Sequence, residues 1–293
     1  MASFTLKSLL VIFIVAVIFL VSIPMPIKVS AQGEPEINWI DGPITVDLGD
    51  QAHIELGDEY IFVDGENSRK ILEFLGEPIC ELEVGAVFAK AEDEEWAIWF
   101  DYDPIGYVKD DEKESLDSKE ILENIKEATD EQNKIRIKQG FPPIEVVGWY
   151  EKPHYDEDTN NLVWCVQGEC EGIPLVNYQT RLLGRHGYMA VTLATDLATL
   201  ANAQARLEDI INHFSWKSGK SYAEWVEGDK VAEIGLTALA AGAAGAIAAK
   251  TGLLSKIWKF LVAGIMAIVA AITGFIKRLR GKHKASTSGD AVG

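Results

Sequence analysis

Cysteine is scarce, with three residues, Cys80, Cys165 and Cys170, in a chain of 293. Three are too few for a disulfide scaffold, and a chain this long buries enough core not to need one. Cys165 and Cys170 could close a short loop if the chain is exported. Their odd spacing, however, puts them on opposite faces of a continuous strand, so buried free thiols are the favoured expectation. Histidine is nearly as rare, and His53, His186, His213 and His283 show no His-x-x-x-His spacing, so no metal site is expected. No Gly-x-Ser-x-Gly elbow is present. Gly245 to Thr251 carries Ala249 where a phosphate loop needs glycine, and it lies in an apolar run, so no nucleotide loop and no cofactor are expected.

Positive charge is missing from the middle of the chain. Between Gln32 and Ala249 there are 17 Lys or Arg against 44 Asp or Glu, a net of -27 where the whole chain has -18. Such a surface repels phosphates and excludes nucleic acid as a partner; a cationic ligand, a basic partner or plain solubility each suits it. The bases are held at the ends. Residues 1–31 carry Lys7 and Lys28 and no acid, and from Lys250 onward eight bases face Asp290 alone.

Long apolar runs also lie at the ends. Ser8 to Ile27 is uncharged and contains the run Leu9 to Ile23, after which come Pro24, Pro26 and Val29-Ser30-Ala31. This is the layout of an export signal over residues 1–31, with cleavage expected after Ala31 and an uncleaved anchor as the alternative. Two more uncharged runs are Ile234 to Ala249 and Phe260 to Ile276. The second, within 253–276, is rich in Ile, Val, Leu and Phe and is the better transmembrane helix; the first, within 233–252, is rich in Ala and Gly and gains little by leaving water. The basic cluster Lys277 to Lys284 opens a tail, 277–293, that the positive-inside rule assigns to the cytoplasm. One span then leaves residues 32–232 outside as an acidic extracytoplasmic domain. A helical hairpin, with Ala241, Gly245 and Ala249 packed on the second helix, is the alternative.

Within the domain, Ile44 to Leu48 and Ala52 to Leu56 alternate around Gly49-Asp50 and predict a β-hairpin, with Tyr60 to Val63 as a third strand. Asp64 caps a predicted helix from about Glu66 to Leu75. Val84 to Phe88 and Glu95 to Tyr102 predict a strand pair with Trp96, Ile98 and Phe100 on one side and Trp99 on the other. Asp117 and Glu120 form a capping box for a helix running to about Lys138. Four strands follow, Val146–Tyr150, Leu162–Val166, Leu175–Leu183 and Tyr188–Leu193, and then a helix after Asp196 with Leu197, Leu200, Leu207, Ile210, Ile211 and Phe214 at helical spacing. The pattern predicts an α+β domain, a largely antiparallel sheet packed by about three helices.

Several stretches together resemble one bacterial family. They are Gly42-Pro43-Ile44-Thr45-Val46-Asp47-Leu48-Gly49, Gly106-Tyr107-Val108-Lys109-Asp110-Asp111, Val147-Gly148-Trp149 with Pro153-His154-Tyr155-Asp156, Asn161-Leu162-Val163-Trp164, Val176-Asn177-Tyr178 with Arg181-Leu182-Leu183-Gly184, and Gly228-Asp229-Lys230-Val231-Ala232. The family is the uncharacterised membrane-anchored one called domain of unknown function 2167, and the resemblance covers about Trp39 to Arg280. It implies export, an anchor and an unassigned activity, and carries over no catalytic residues. The order of elements also resembles PsbP-type α/β/α sandwiches, a likeness of fold that says little about function.

Two places could carry chemistry. His154, Asp156, Asp158 and Asn160 set an imidazole near carboxylates; read as a calcium loop, they fail where Asn161 replaces the glycine and Gln167 the bidentate Glu, which leaves a hairpin turn as the favoured reading. On the strand through Asn177, Gln179 and Arg181, these three share one face, as in a groove or in an arginine pairing with acids; the pairing is favoured in so acidic a domain. The leading expectation is a non-enzymatic interaction or sensor domain of the cell envelope, with the bilayer and an envelope or membrane protein as partners. The alternative is an envelope hydrolase or small-ligand binder with a site near His154 and Arg181.

Overall fold

The computed structural model of the protein describes residues 35–74, 79, 81–91, 94, 96–138 and 142–241, which belong to one unit, Glu34–Val269. The expected signal, the second apolar run and the basic tail lie outside the described residues, as does the second half of the first run, 242–249. Among the described residues no helix is long and apolar enough to cross a membrane.

Alternation of side chains builds the first hairpin. With β1 at Ile40–Asp41, strands β2 (Ile44–Leu48) and β3 (Ala52–Leu56) pair antiparallel about a turn in which Gly49 takes φ +59°. Val46, Leu48, Ala52, Ile54 and Leu56 are buried, and the residues between them look outward. The predicted third strand forms as β4 (Tyr60–Asp64), but in a different sheet. Its place beside β3 is taken by a strand from much later in the chain, described below.

The remaining strands are β5 (Glu83–Ala89), β6 (Trp96–Asp103), β7 (Glu145–Asp156), β8 (Asn161–Cys170), β9 (Ile173–Leu183), β10 (Tyr188–Asp196) and β11 (Phe214–Trp216). Eight of them form one antiparallel sheet in the order β1-β4-β5-β6-β10-β9-β8-β7, while β11-β3-β2 make a small one. Short connections favour such neighbours. The helices are α1 (Gly65–Phe74), α2 (Ser118–Lys138), α3 (Leu200–Asn212) and the five-residue α4 (Leu236–Ala240). Asp64 Oδ1 accepts the Asn67 amide at 2.9 Å and Asp117 Oδ1 accepts the amides of Lys119 and Glu120, so both predicted caps hold their helix starts.

The large sheet is covered on both faces. On the first, Trp96, Ile98, Phe100, Val176, Met189, Val191 and Leu193 pack with the small sheet and with Leu200, Ala203, Leu207 and Ile210 of α3. Each large apolar side chain so buried contributes about 1.5–3 kcal/mol. On the second, Leu162, Trp164, Val166, Leu183 and Tyr188 pack with Val108, Ile121 of α2, Tyr222 and the residues of α4. The fold is thus an antiparallel-sheet-rich α+β architecture with three helices of ten residues or more. Cys165 is buried and Cys170 half-buried, and both thiols are free.

Candidate functional site: a polar row on the second sheet face

Strand alternation places Asn177, Gln179 and Arg181 of β9 on the second face, and the register extends the row across the sheet. Arg181 stands opposite Ala190 of β10, and Ala190 opposite Asp101 of β6, which pairs with Glu83 of β5. One row along, Gln179 pairs with Thr192 and Thr192 with Trp99. On the other side Tyr188 pairs with Asp103. The helices leave this strip between them: α1 packs on β4 and β5, with Arg69 Nη1 donating to the Glu83 carbonyl at 3.1 Å, and α2 packs on β7, where Trp149 Nε1 donates to the Ser118 carbonyl at 2.9 Å.

Arg181 is 5% exposed and has only part of its hydrogen-bonding capacity used. Nη1 donates to Gln179 Oε1 at 2.6 Å and to the Thr180 carbonyl at 3.2 Å. Gln179 is itself held by Asn177, to which its amide donates, and by Thr192, whose hydroxyl donates to Oε1 at 3.2 Å. The guanidinium lies over the rings of Trp164, 4.8 Å from the centroid, and Tyr188, 5.7 Å away. Nε is buried and has no hydrogen-bond acceptor, Nη2 bonds no described residue, and no carboxylate among the described residues lies within 4.0 Å. The expected pairing of this arginine with an acid is therefore not made.

Two other arginines show what that edge does when it has a partner. Arg185 donates from Nε and Nη2 to the two oxygens of Asp229 at 2.7 and 3.0 Å. Arg206 does the same to Glu94 at 3.1 and 2.6 Å. The Nε/Nη2 edge is the fork that matches a carboxylate. In Arg181, the most deeply buried of the three, this fork is open. Trp99 Nε1, on the same face, is a second buried donor without an acceptor.

The acids of the row are held apart from the guanidinium. Asp101 and Asp103 are half-buried. Burial first, then the like charge of Glu83, pushes the Asp101 carboxyl up to about 7, with Arg181 pulling the other way. Burial also raises Asp103, against the hydrogen bond from the Tyr188 hydroxyl at 3.1 Å and the charge of Arg181. Burial in turn pulls Arg181 down, while Tyr188, Asp101 and Asp103 push it back up. Donors without acceptors thus lie deep in the strip beside the buried Glu83, and Asp101 and Asp103 lie at its wetter part.

His154 and Asp156 sit elsewhere. They pair with Val163 and Asn161, which pair with Thr180 and Leu182, so both belong to the face opposite Arg181. His154 is half exposed, 3.5 Å from Glu151. Asp156 closes the hairpin turn, accepting the Asp158 amide and the Thr159 hydroxyl, with Asn160 at φ +54°. The structure therefore joins Asn177, Gln179 and Arg181 and separates them from His154 and Asp156. Sequence reasoning missed Asp101, Asp103, Trp99 and Thr192. A signal was present, since Trp99, Asp101 and Asp103 alternate with Ile98, Phe100 and Tyr102, but only the register places them beside β9.

Among curated proteins, none matches the chain. The solution structure of cyanobacterial PsbP (CyanoP) from Synechocystis sp. PCC 6803 is similar to it with a TM-score of 0.34 and 8% identity, over 64% of this chain and 96% of that one. A likeness this slight bears on neither substrate nor partner. Residues 40–273 match the family described as Protein of unknown function (DUF2167), and the chain belongs to it.

Proposed function

We propose that the protein is a membrane-anchored, extracytoplasmic module of the cell envelope that binds a small ligand bearing a carboxylate, and that Arg181 receives that group. The observation that carries this reading is the open Nε/Nη2 fork of a buried arginine, where Arg185 and Arg206 elsewhere in the domain close the same fork on carboxylates. A buried donor without an acceptor is destabilising, about 1–3 kcal/mol for a polar group, and a ligand oxygen removes that penalty. Anchoring and export rest on the apolar runs and on the segregation of bases to the two ends. Binding fits the row better than nucleophilic catalysis. Cys165 lies on the opposite face, and burial pushes its thiol up to about 12.

The test is thermal unfolding of the full-length protein in detergent against butyrate, glutarate and free amino acids. At least one of these carboxylates raises the wild-type Tm in a concentration-dependent way, and Arg181→Gln, folded by circular dichroism, gives no rise. An equal rise in the variant would falsify the assignment of Arg181.

A further inference from the structure

The charges around Arg181 narrow the ligand class. Glu83, Asp101 and Asp103 share its sheet face, and Glu83 lies 3.8 Å from the Arg69 guanidinium, so a second anionic group on a ligand held by the fork would meet the carboxyls of Asp101 and Asp103. The two signs are also spatially sorted. Asp101 and Arg181 are in register with Ala190 between them, about 9–10 Å apart at Cα for two strand spacings. They form no ion pair within 4.0 Å, and Ala190 offers only a methyl group between them.

Arg181 also reaches along its own strand to Gln179, with its guanidinium over the Tyr188 ring and no ion pair to Asp103 within 4.0 Å. The guanidinium, Trp99 and Glu83 are buried, while Asp101, Asp103 and Thr192 are partly open to solvent. An ammonium at Asp101 and Asp103 keeps some of its water, while a carboxylate at the fork loses its own and gains two charge-assisted hydrogen bonds. The Tyr188 hydroxyl fixes Asp103 for that contact.

Resting on the reading that Arg181 takes a carboxylate, we infer that the ligand is a small zwitterion of the ω-amino acid class, its carboxylate on the Nε/Nη2 fork of Arg181 and its ammonium against Asp101 and Asp103. The separation of the two charges favours a spacer of several carbons over the single carbon of glycine.

Calorimetric titration of the full-length wild-type protein with glycine, β-alanine, γ-aminobutyrate and 5-aminovalerate, each beside its N-acetyl derivative, and with butyrate and glutarate, reads this directly. The expected result is that γ-aminobutyrate or 5-aminovalerate binds at least tenfold tighter than its N-acetyl form and tighter than glycine. Asp101→Asn brings that ratio close to one. Equal affinity for free and N-acetyl forms, or glutarate binding best, overturns the zwitterion while leaving the carboxylate reading of Arg181 intact. No binding by any of these probes overturns both. Should Asp101→Asn fail to fold, the wild-type comparison of free and N-acetyl probes decides alone.

Discussion

A guanidinium on the floor of a sheet loses most of its hydration, and Arg181 recovers part of it from Gln179, the Thr180 carbonyl and two aromatic faces. Its neighbour Asp101 carries the opposite problem, because burial and Glu83 favour its protonated form and hold it up to about 7. In the unfolded chain the same carboxyl titrates near ~3.9. Between these values folding takes up a proton, so the contribution of Asp101 to stability is fully present below about 4 and is lost as pH rises through about 7. The limiting slope for one proton is about 1.4 kcal/mol per pH unit, and partial exposure reduces it. Asp101→Asn keeps the neutral shape; its expected gain is about 1–3 kcal/mol at pH 8 and near zero at pH 4. Urea midpoints at the two pH values check this, and a variant less stable than wild type at pH 8 contradicts it.

At the scale of elements, the β9–β10 hairpin sets where the row lies. Gly184 and Gly187 close it, with the Gly184 amide donating to the Gly187 carbonyl at 2.8 Å. A Cβ on Gly187 would stand 2.0 Å from the Asp103 carbonyl oxygen, so β6 and the hairpin could not keep their spacing. Gly187→Ala is therefore expected to lower stability by about 1–3 kcal/mol, and to weaken ligand binding by moving Asp103 and Tyr188 relative to Arg181. Chemical denaturation measures the first effect and titration of γ-aminobutyrate the second. The edge strand β7 departs from regular pairing three times, at Val146/Gly148, Trp149/Glu151 and Glu151/His154. Such bulges twist an edge away from pairing with another chain.

Over the whole molecule, charge and hydropathy are divided along the chain. The acidic body lies between ends that hold the apolar runs and most of the local excess of base. Export with a cleaved signal predicts Gln32 as the first residue of the protein recovered from membranes, read by intact mass; a chain still starting near Met1 means the first run stays as an anchor. With a single carboxyl-terminal span, protease added to intact spheroplasts digests the acidic body and spares a tag placed after Gly293. Loss of the tag in the same experiment means the helical hairpin.

Local features were legible from the sequence alone. Side-chain period, the caps at Asp64 and Asp117, the turn at Gly49-Asp50 and the hairpin at Asp156 each depend on residues a few positions apart, and most helices and strands of the domain follow from them, though Phe214, read as the end of the last helix, opens the strand β11. So does the placing of Asn177, Gln179 and Arg181 on one face. What the tertiary structure decided was partnership. It moved β4 to the large sheet beside β1 and β5, brought β11 to β3, and put Asp101 in register with Arg181 and Trp99 in register with Gln179 while His154 went to the other face. Whether a buried arginine finds a carboxylate depends on which distant strands align beside it, and no spacing along the chain encodes that alignment.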